Sequence, residues 1–197
     1  SLSRADASAV LSTRELLDIA ETLRVIRTVK EWRENCSGMV NTSLEDLFFC
    51  LIPNKYFEEK ITFAIKSEDE INDNASSVLY DIRRKIASKS AKLRENLDKI
   101  IKGPTAKYLQ DAIITQRDGR FVVPLKSEYK GQIAGIVHDT SATGSTIFIE
   151  PMSVVETNNE IRVLRLREQE EIERILAELS AEAGNFADTI ISSYNAV

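Results

Sequence analysis

The spacing of apolar residues changes twice in the second half of this chain, and that change limits the possible folds most. Between residues 77 and 102 the apolar positions recur every seven residues, at Leu79, Ile86, Leu93 and Ile100. This spacing places them along one side of a helix that packs in coiled-coil style. Residues 111–151 contain short strand-like runs, and residues 153–195 return to a helical spacing. The sequence therefore predicts two long helices that flank a small β insert.

Local signals define the ends of these elements. An acidic loop spans residues 67–75, after which Ser76 can cap the first long helix, and Gly103-Pro104 ends it. Asp118-Gly119 lies between two apolar runs and predicts a tight hairpin. Pro124 predicts that the second strand of that hairpin reaches a sheet edge. We expect a mainly α, α+β fold in which a long antiparallel helix pair carries an antiparallel β insert.

The sequence predicts two domains, a helical core segment over residues 1–75 and a second domain over residues 76–197. After a short connector, Ser12 and Glu15 form a capping box that starts a long helix. The apolar face of that helix is predicted to contain Leu16, Ile19, Ala20, Leu23, Ile26, Val29 and Trp32. Two shorter helices, with caps at Ser43 and Asn54, are expected to complete the core.

Cysteine usage and hydropathy suggest the compartment. Cys36 and Cys50 have no metal-type spacing, which favours two buried thiols in a reducing cytosol over a disulfide. No apolar run approaches the roughly 20 residues that a membrane-spanning helix needs. A soluble cytoplasmic protein without a membrane segment is expected.

The net charge of −5 conceals a strong asymmetry along the chain. Residues 77–131 carry 13 Lys/Arg against 6 Asp/Glu, whereas residues 1–76 carry 9 against 14 and residues 132–197 carry 4 against 11. A basic centre between acidic flanks is the kind of field that attracts a polyanion. The alternative is a solvated helix face.

Candidate nucleic-acid contacts lie in this basic centre. On the first long helix we select Arg83, Arg84, Lys89 and Lys92, and on the β insert Arg117, Arg120, Lys126 and Lys130. Phe121 and Tyr129 lie among these cations and could rest on a sugar-phosphate backbone, although Phe121 could equally fill the core of the sheet. No sequence-reading motif accompanies these residues, so phosphate contacts without sequence preference are expected.

Other candidate sites are weaker. His138-Asp139 invites a hydrolytic interpretation, but consecutive strand residues point to opposite faces, and a polar turn in which Gly144 has a positive φ is favoured. Gly131 and Gly135 are not followed by Gly-Lys-Ser/Thr and predict bends in a β segment. Glu156 and Glu160 lie one turn apart, but the same helix has no histidine, so an exposed face is favoured over a metal site. We predict no catalytic site, metal or cofactor here.

The central segment resembles the bacterial MutS-two family, the branch of the MutS family with a C-terminal Smr nuclease domain. The resemblance is carried by RDGRFVVPLKSEYKGQIAGIVHDTSATGSTIFIEPMSVVETNNEIRVL, from Arg117 to Leu164. Upstream, VLSTRELLDIAETLR resembles the core-domain helix of the family, and DNASSVLYDIRRKI resembles the entry to its lever.

The resemblance implies a core, lever and clamp fragment of an ATP-driven dimer. Such proteins embrace branched or recombination-intermediate DNA and suppress homologous recombination, and they are also linked to the splitting of collided ribosomes. The ATPase, which binds ATP and Mg²⁺, and the Smr endonuclease are implied downstream. The fragment itself is therefore expected to be no enzyme.

Three functions remain open from the sequence. The first is a nucleic-acid clamp element that contacts the phosphates of branched DNA. The second is a ribosome-binding arm that acts in ribosome quality control through the same charges on rRNA. The third is a structural or dimerising coiled-coil spacer.

Overall fold

A computed structural model of the protein describes residues 2–6, 9–36 and 45–196. The chain divides into two compact units. We call Ser1–Tyr80 with Glu170–Val197 the helical unit, and Asp81–Gln169 the sheet unit. Residues 170–197 thus belong with the N-terminal core, whereas the predicted boundary near residue 76 grouped them with the β insert.

The fold is mainly α with a small β insert, which confirms the predicted fold class. The helices are α1 Leu2–Asp6, α2 Thr13–Asn35, α3 Glu45–Cys50, α4 Lys55–Ala64, α5 Ser77–Ile101, α6 Val155–Asn185 and α7 Ala187–Asn195. The strands are β1 Ile65–Ser67, β2 Glu70–Ile71, β3 Thr115–Arg117, β4 Arg120–Lys126, β5 Gly135–Thr140 and β6 Thr146–Pro151. In the part of the chain that is described, β1 and β2 form one antiparallel sheet, and the other has the order β3-β4-β6-β5.

Side-chain caps begin three of the helices where the sequence predicts them. At α2 the Glu15 amide donates to the Ser12 hydroxyl, and the Ser12 amide donates to the Glu15 carboxylate at 2.9 Å. Asn54 caps α4 by accepting from the amide of Phe57 at 3.0 Å. Ser76 caps α5, because its hydroxyl accepts from the amide of Leu79 at 2.9 Å. Each cap satisfies a backbone N–H that has no partner within its helix.

Three local expectations differ from the structure, and two others fall on residues that the structure does not describe. The connector at the N-terminus contains the short helix α1, and the acidic loop contains the β1–β2 hairpin. The last helix is interrupted at Phe186, whose φ of −102° and ψ of 3° leave the helical region two residues after Gly184. The predicted cap of α3, Ser43, and the predicted end signal of α2, Ser37-Gly38, lie outside the described residues.

The core of the helical unit forms from one face of α2, α4 and the C-terminal helices. Its fully buried residues include Leu16, Leu23, Phe57, Ile61, Leu79 and Leu179. The predicted continuation of the α2 face is wrong at Trp32, which is 63% exposed. The expectation that α3 joins the core is also wrong, because α3 buries none of its residues and Phe49 is 76% exposed. Cys36 and Cys50 are free and exposed, not buried.

The hairpin between β3 and β4 turns at Asp118-Gly119, as predicted. Asp118 has a φ of 50° and Gly119 a φ of 75°, the backbone of a two-residue turn that matches the twist of the flanking strands. Arg117 pairs with Arg120 across this turn. Glycine is suited to the second position because it reaches positive φ without a steric penalty.

β4 is internal over its first residues, but its pairing with β3 ends at Val122 and only the isolated bridge Leu109–Leu125 follows on that side, so the predicted sheet edge holds locally at Pro124. Pro124 pairs with Phe148 of β6, and its carbonyl accepts from the amide of Gln110 on the opposite side of the strand, at 2.9 Å. The N and C=O of one strand residue point to the same side. The proline nitrogen therefore faces away from β6. On that side the pairing of β4 with β3 has already ended at Val122, so no strand residue lies opposite the nitrogen. The missing N–H costs no ladder hydrogen bond.

In the apolar stripe of α5, Leu79 and Leu93 are buried and Ile86 and Ile100 are half-buried, and the C-terminal part of the stripe packs against the sheet. Leu93 and Leu97 are fully buried. They share a core cluster with Phe121, Val123, Leu125, Ile147 and Ile149 of the sheet. Ile161 of α6 belongs to the same cluster. Over these turns of α5, the residues at seven-residue spacing contact the sheet as well as α6. None of the described helices is long and apolar enough to cross a membrane.

Acid should weaken the helical unit through Glu58. Its carboxylate accepts from Arg27 at 2.8 and 2.9 Å and is 7% exposed. The hydrogen bonds from Arg27 lower the pKa of Glu58 below its usual 4.5. A lowered pKa in the folded state means that the stabilisation is complete above the unfolded value and is lost as the pH falls through the folded value. We expect the free energy of unfolding to fall from pH 5 downward, as measured by urea denaturation.

Glu58→Gln should weaken that part of the pH dependence. Glu59→Gln is the matched control, since the Glu59 carboxylate is exposed and lies 3.6 Å from Lys55 at the surface. If Glu58→Gln left the acid slope equal to that of Glu59→Gln, the role assigned to the Arg27 pair would be wrong.

Candidate nucleic-acid interface

Two of the predicted contact residues bind carboxylates of α6. Within the sheet unit, Nε of Arg83 lies 2.7 Å from Oε1 of Glu168, and Nζ of Lys89 lies 2.6 Å from Oε2 of Glu160. Residue numbers rise along α5 while they fall along α6, so the two helices run antiparallel here. A cation in such a pair is less available to a phosphate, because its carboxylate partner would first have to be released.

The other two predicted α5 residues are exposed and lack such partners. Within the described residues, the side chains of Arg84 and Lys92 make no hydrogen bond or ion pair. Two further cations in the same condition, Lys85 and Lys99, were missed by the sequence analysis. Seven residues make nearly two helical turns, so Lys85, Lys92 and Lys99 share one side, with Arg84 adjacent. We call these four residues the α5 cation stripe, and their seven-residue repeat was the signal that could have found them.

Charge along the stripe is positive, with two exposed carboxylates on the same side of the helix, that of Asp81 one turn before Lys85 and that of Glu95. The rise of 1.5 Å per residue spaces Lys85, Lys92 and Lys99 about 10 Å apart. Such a row fits a polyanion whose charges repeat along a line.

Arg120 occupies the interior of the sheet unit and does not face solvent as a contact residue would. Its side chain is 15% exposed, and its Nη1 lies 2.8 and 3.1 Å from the two carboxylate oxygens of Glu150. Its Nη2 donates to Asn159 at 2.6 Å. The structure therefore gives Arg120 a structural role, and we leave it out of the contact set proposed below.

Glu150 is the centre of a buried polar network and is 0% exposed. Besides Arg120, its carboxylate accepts from Nδ2 of Asn158 at 2.8 Å and lies 2.5 Å from Nε2 of His138. Because a carboxylate only accepts, the proton in the last contact is on Nε2 of His138. A buried charge with this many donors is compensated.

Asn158 extends this network into the backbone of β4. Its Oδ1 accepts from the amide of Phe121 at 3.1 Å, and its Nδ2 donates to the carbonyl of Phe121 at 3.1 Å. The register of β4 with β6 would place Pro151 opposite Phe121, but proline has no N–H to donate. The Asn158 carboxamide therefore replaces the missing rung, which ties the start of α6 to the sheet.

The remaining sequence candidates near His138 belong to this framework and to a turn. His138 is the extra residue where the β5–β6 register shifts between Val137 and Asp139. Oδ1 of Asp139 accepts from the amide of Thr140 at 2.8 Å, and Gly144 has a φ of 72°. The Asp139 bond and the φ of Gly144 match the prediction, but His138 and Asp139 lie in strand β5, and the turn follows at residues 141–145. Gly135 leaves no room for a side chain, since a Cβ there would lie 2.3 Å from the carbonyl oxygen of Glu150.

The cations of the β insert differ in their environment. Nε of Arg117 lies 3.0 Å from Oδ2 of Asp139, and its guanidinium stacks 3.8 Å from the centre of the Phe148 ring. Lys126 is half-buried, with its Nζ 6.0 Å from the centre of the Tyr129 ring. Lys130 is exposed, and in the described part of the chain neither lysine has an ion pair.

The two aromatic candidates separate in the structure. Phe121 is 4% exposed and belongs to the core of the sheet unit, with the guanidinium of Arg94 over its ring at 5.3 Å. Its interpretation as a backbone contact is therefore wrong, and its core alternative is confirmed. Tyr129 is half-buried and lies against Tyr108, with ring centres 5.1 Å apart.

Comparison with known proteins gives the family. The chain is 50% identical to a protein named endonuclease MutS2 from Clostridioides difficile, over 96% of this chain and 24% of that protein. It is 48% identical to the protein of that name from Ruminiclostridium cellulolyticum, over 93% of the chain and 23% of that protein. For Acetivibrio thermocellus the identity is 43%, over 98% of the chain and 25% of the relative. No family model matches the chain.

These matches extend over nearly the whole chain, including its β insert and the cation-rich surface of α5. The chain is a fragment of a MutS2-type protein, as the resemblance in the sequence implied. It spans about a quarter of the length of the curated relatives that it matches.

Removal of the central carboxylate should destabilise the sheet unit. Glu150→Gln leaves Arg120 partly buried without its counter-charge and places an amide donor against other donors, so we expect a loss of about 3 kcal/mol. The measurement is hydrogen exchange of the backbone amides of β4 and β6, which reports the opening of this unit.

Glu156→Gln is the control for that experiment, because Glu156 is exposed and, in the described residues, has no hydrogen bond or ion pair. Its effect should stay within about 0.5 kcal/mol. Equal protection in the two variants would contradict the central role of Glu150.

Proposed function

We propose that this segment binds the phosphate backbone of nucleic acid through exposed cations of the sheet unit. The proposed contact set contains the α5 cation stripe of Arg84, Lys85, Lys92 and Lys99, together with Lys126 and Lys130 of the β insert. The observation that supports this most is the division of the α5 cations into two groups. Arg83 and Lys89 are bound by carboxylates of α6, whereas the stripe carries no such compensation in the described residues.

Two further observations support a polyanion as the partner. The positive charge is concentrated in residues 77–131, between two acidic segments, so it does not merely balance the whole chain. The buried network around Glu150 holds the β insert in one arrangement, which lets its surface cations act together. Phosphate contacts alone carry no sequence preference.

The function of the longer protein follows from the family resemblance as part of this proposal. In it the segment acts as a lever and clamp element of a dimeric MutS2-type protein that binds branched DNA and suppresses homologous recombination. The 197 residues contain no Gly-x-x-x-x-Gly-Lys-Ser/Thr. We therefore propose that ATP and Mg²⁺ bind outside this segment, and that the endonuclease activity in the relatives' name also resides outside it.

Binding to duplex DNA should depend steeply on salt through the stripe. Each phosphate that a cation neutralises adds about 0.9 to the slope of log affinity against log salt concentration for duplex DNA. Arg84→Ala with Lys92→Ala should therefore lower the slope by about 2 and weaken binding at low salt. Fluorescence anisotropy with a labelled four-way junction, over a series of salt concentrations, measures both quantities.

Two control variants bracket this experiment. Arg162→Ala with Arg165→Ala removes two exposed arginines of α6 and should leave the slope unchanged. Glu95→Lys replaces the carboxylate within the stripe and should tighten binding. If the stripe and α6 double variants lost the same affinity, the binding would reflect total charge and the stripe assignment would fail.

The same cations suit ribosomal RNA, so a second arm of the experiment uses collided ribosomes. Pull-down of ribosomes by the full-length protein and by its Arg84→Ala/Lys92→Ala variant separates the two targets. Loss of junction binding with unchanged ribosome capture would favour DNA. Loss of capture alone would favour the ribosome, and no loss of either would leave a structural spacer.

A further inference from the structure

We infer that Tyr108 and Tyr129 form a stacking site for an unpaired nucleotide, so that the sheet unit prefers nucleic acid with a single-stranded segment. This inference rests on the proposed function and adds the class of substrate to it. The ligand chemistry is an unstacked base with a phosphate on each side, in either DNA or RNA.

The fold brings the two tyrosines together from distant positions. Tyr108 ends a short 3₁₀ turn, Pro104–Tyr108, and Tyr129 ends another, Ser127–Tyr129. A β-bridge between Leu109 and Leu125 holds the two chain segments side by side. The ring centres are 5.1 Å apart, and their planes are inclined by 50°. The pair is therefore a built feature of the sheet unit.

Both rings are fixed by packing and are partly exposed. Each is half-buried and packs against the core cluster of the sheet unit. Nζ of Lys107 lies 4.9 Å from the centre of the Tyr108 ring, and Nζ of Lys126 lies 6.0 Å from that of Tyr129. Each ring therefore carries an ammonium group over one face, and a base that stacks on that face takes the place of the ammonium group. A rigid aromatic face costs little entropy to use.

Two lysines, Lys107 and Lys126, lie over the rings, and a third, Lys130, directly follows Tyr129 in the chain. Lys107, Lys126 and Lys130 have no ion pair in the part of the chain that the structure describes. When a base stacks on a tyrosine, its flanking phosphates come within reach of these ammonium groups, which can move from the ring to the phosphate. Aromatic faces beside a cationic surface are what proteins use to hold single strands without sequence preference.

A duplex cannot use this site in the same way. Inside a duplex both faces of each base are covered by neighbouring bases, so only a base that has left the stack offers a face to a tyrosine. The α5 cation stripe contacts phosphates in both duplex and single-stranded nucleic acid. The tyrosine pair therefore distinguishes single-stranded segments from the duplex, whereas the stripe does not.

Photo-crosslinking gives a direct test with the 197-residue chain. The probes are an oligothymidylate that carries one 5-iodouracil and the matching oligouridylate, and the readout is the modified residue found by peptide mass spectrometry. We expect the adduct on Tyr108 or Tyr129. Tyr56 and Tyr80, which are 64% and 46% exposed, are internal controls that should stay unmodified.

Substitution gives the quantitative test. Tyr108→Leu with Tyr129→Leu should weaken single-strand binding about tenfold, since stacking on an aromatic side chain contributes roughly 1–3 kcal/mol per base. Duplex affinity should not change. Tyr108→Phe with Tyr129→Phe keeps the rings and should bind as the unsubstituted chain does. Comparison of the DNA and RNA probes shows which strand is preferred.

The outcomes separate this inference from the proposed function. If the stripe variant loses duplex binding while the leucine variant retains full single-strand affinity, the stacking site is wrong and the phosphate interface stands. If the leucine variant does not fold, the crosslinking result decides, and adducts spread over Tyr56 and Tyr80 overturn the inference. If neither duplex nor single strand binds, the proposed function fails first.

Discussion

The sheet unit depends on the hydrogen bonds and ion pair that the buried carboxylate of Glu150 accepts. A charge with no solvent exposure is tolerated only when donors surround it, and here Arg120, His138 and Asn158 supply them. These donors come from β4, β5 and α6, so one compensated charge joins two neighbouring strands and a helix to the strand that carries it. Lys126, one of the cations that we propose for nucleic-acid binding, lies at the end of β4, a strand that this charge fixes.

The cations of the chain fall into two classes that only the structure separates. Arg83, Lys89 and Arg120 serve carboxylates of the protein, whereas Arg84, Lys85, Lys92 and Lys99 face solvent. The sequence shows the amount of positive charge but not its partners, since the partners of Arg83 and Lys89 lie more than 70 residues away. A phosphate interface is made by the residual charge after these internal pairs are formed.

Local chemistry was sufficient to predict the elements whose signals are themselves local. The Ser12–Glu15 box, the Ser76 cap and the Asp118-Gly119 turn involve atoms within a few residues of one another, and all three form as expected. Features that depend on tertiary surroundings could not be predicted. The exposure of Trp32 and the lack of burial in α3 depend on what packs beside them. The strands of the β1–β2 hairpin are too short to show an alternation of apolar and polar residues. The tyrosine pair likewise depends on a bridge between two separate turns.

The Asn158 carboxamide, which completes the β4 ladder where Pro151 cannot, also limits how the gene for such a protein can change in length. The segment from Pro151 to Asn158 must place the Asn158 carboxamide beside the backbone of Phe121. A single inserted or deleted codon there would shift Asn158 by about 100° around the helix. The turn at residues 141–145 accepts two hydrogen bonds from outside, from the amide and the hydroxyl of Ser127, but these reach backbone carbonyls, those of Ser145 and Gly144, and need no particular side chain in the turn. Length variation among related sequences should therefore accumulate at that turn and be rare between the last strand and α6.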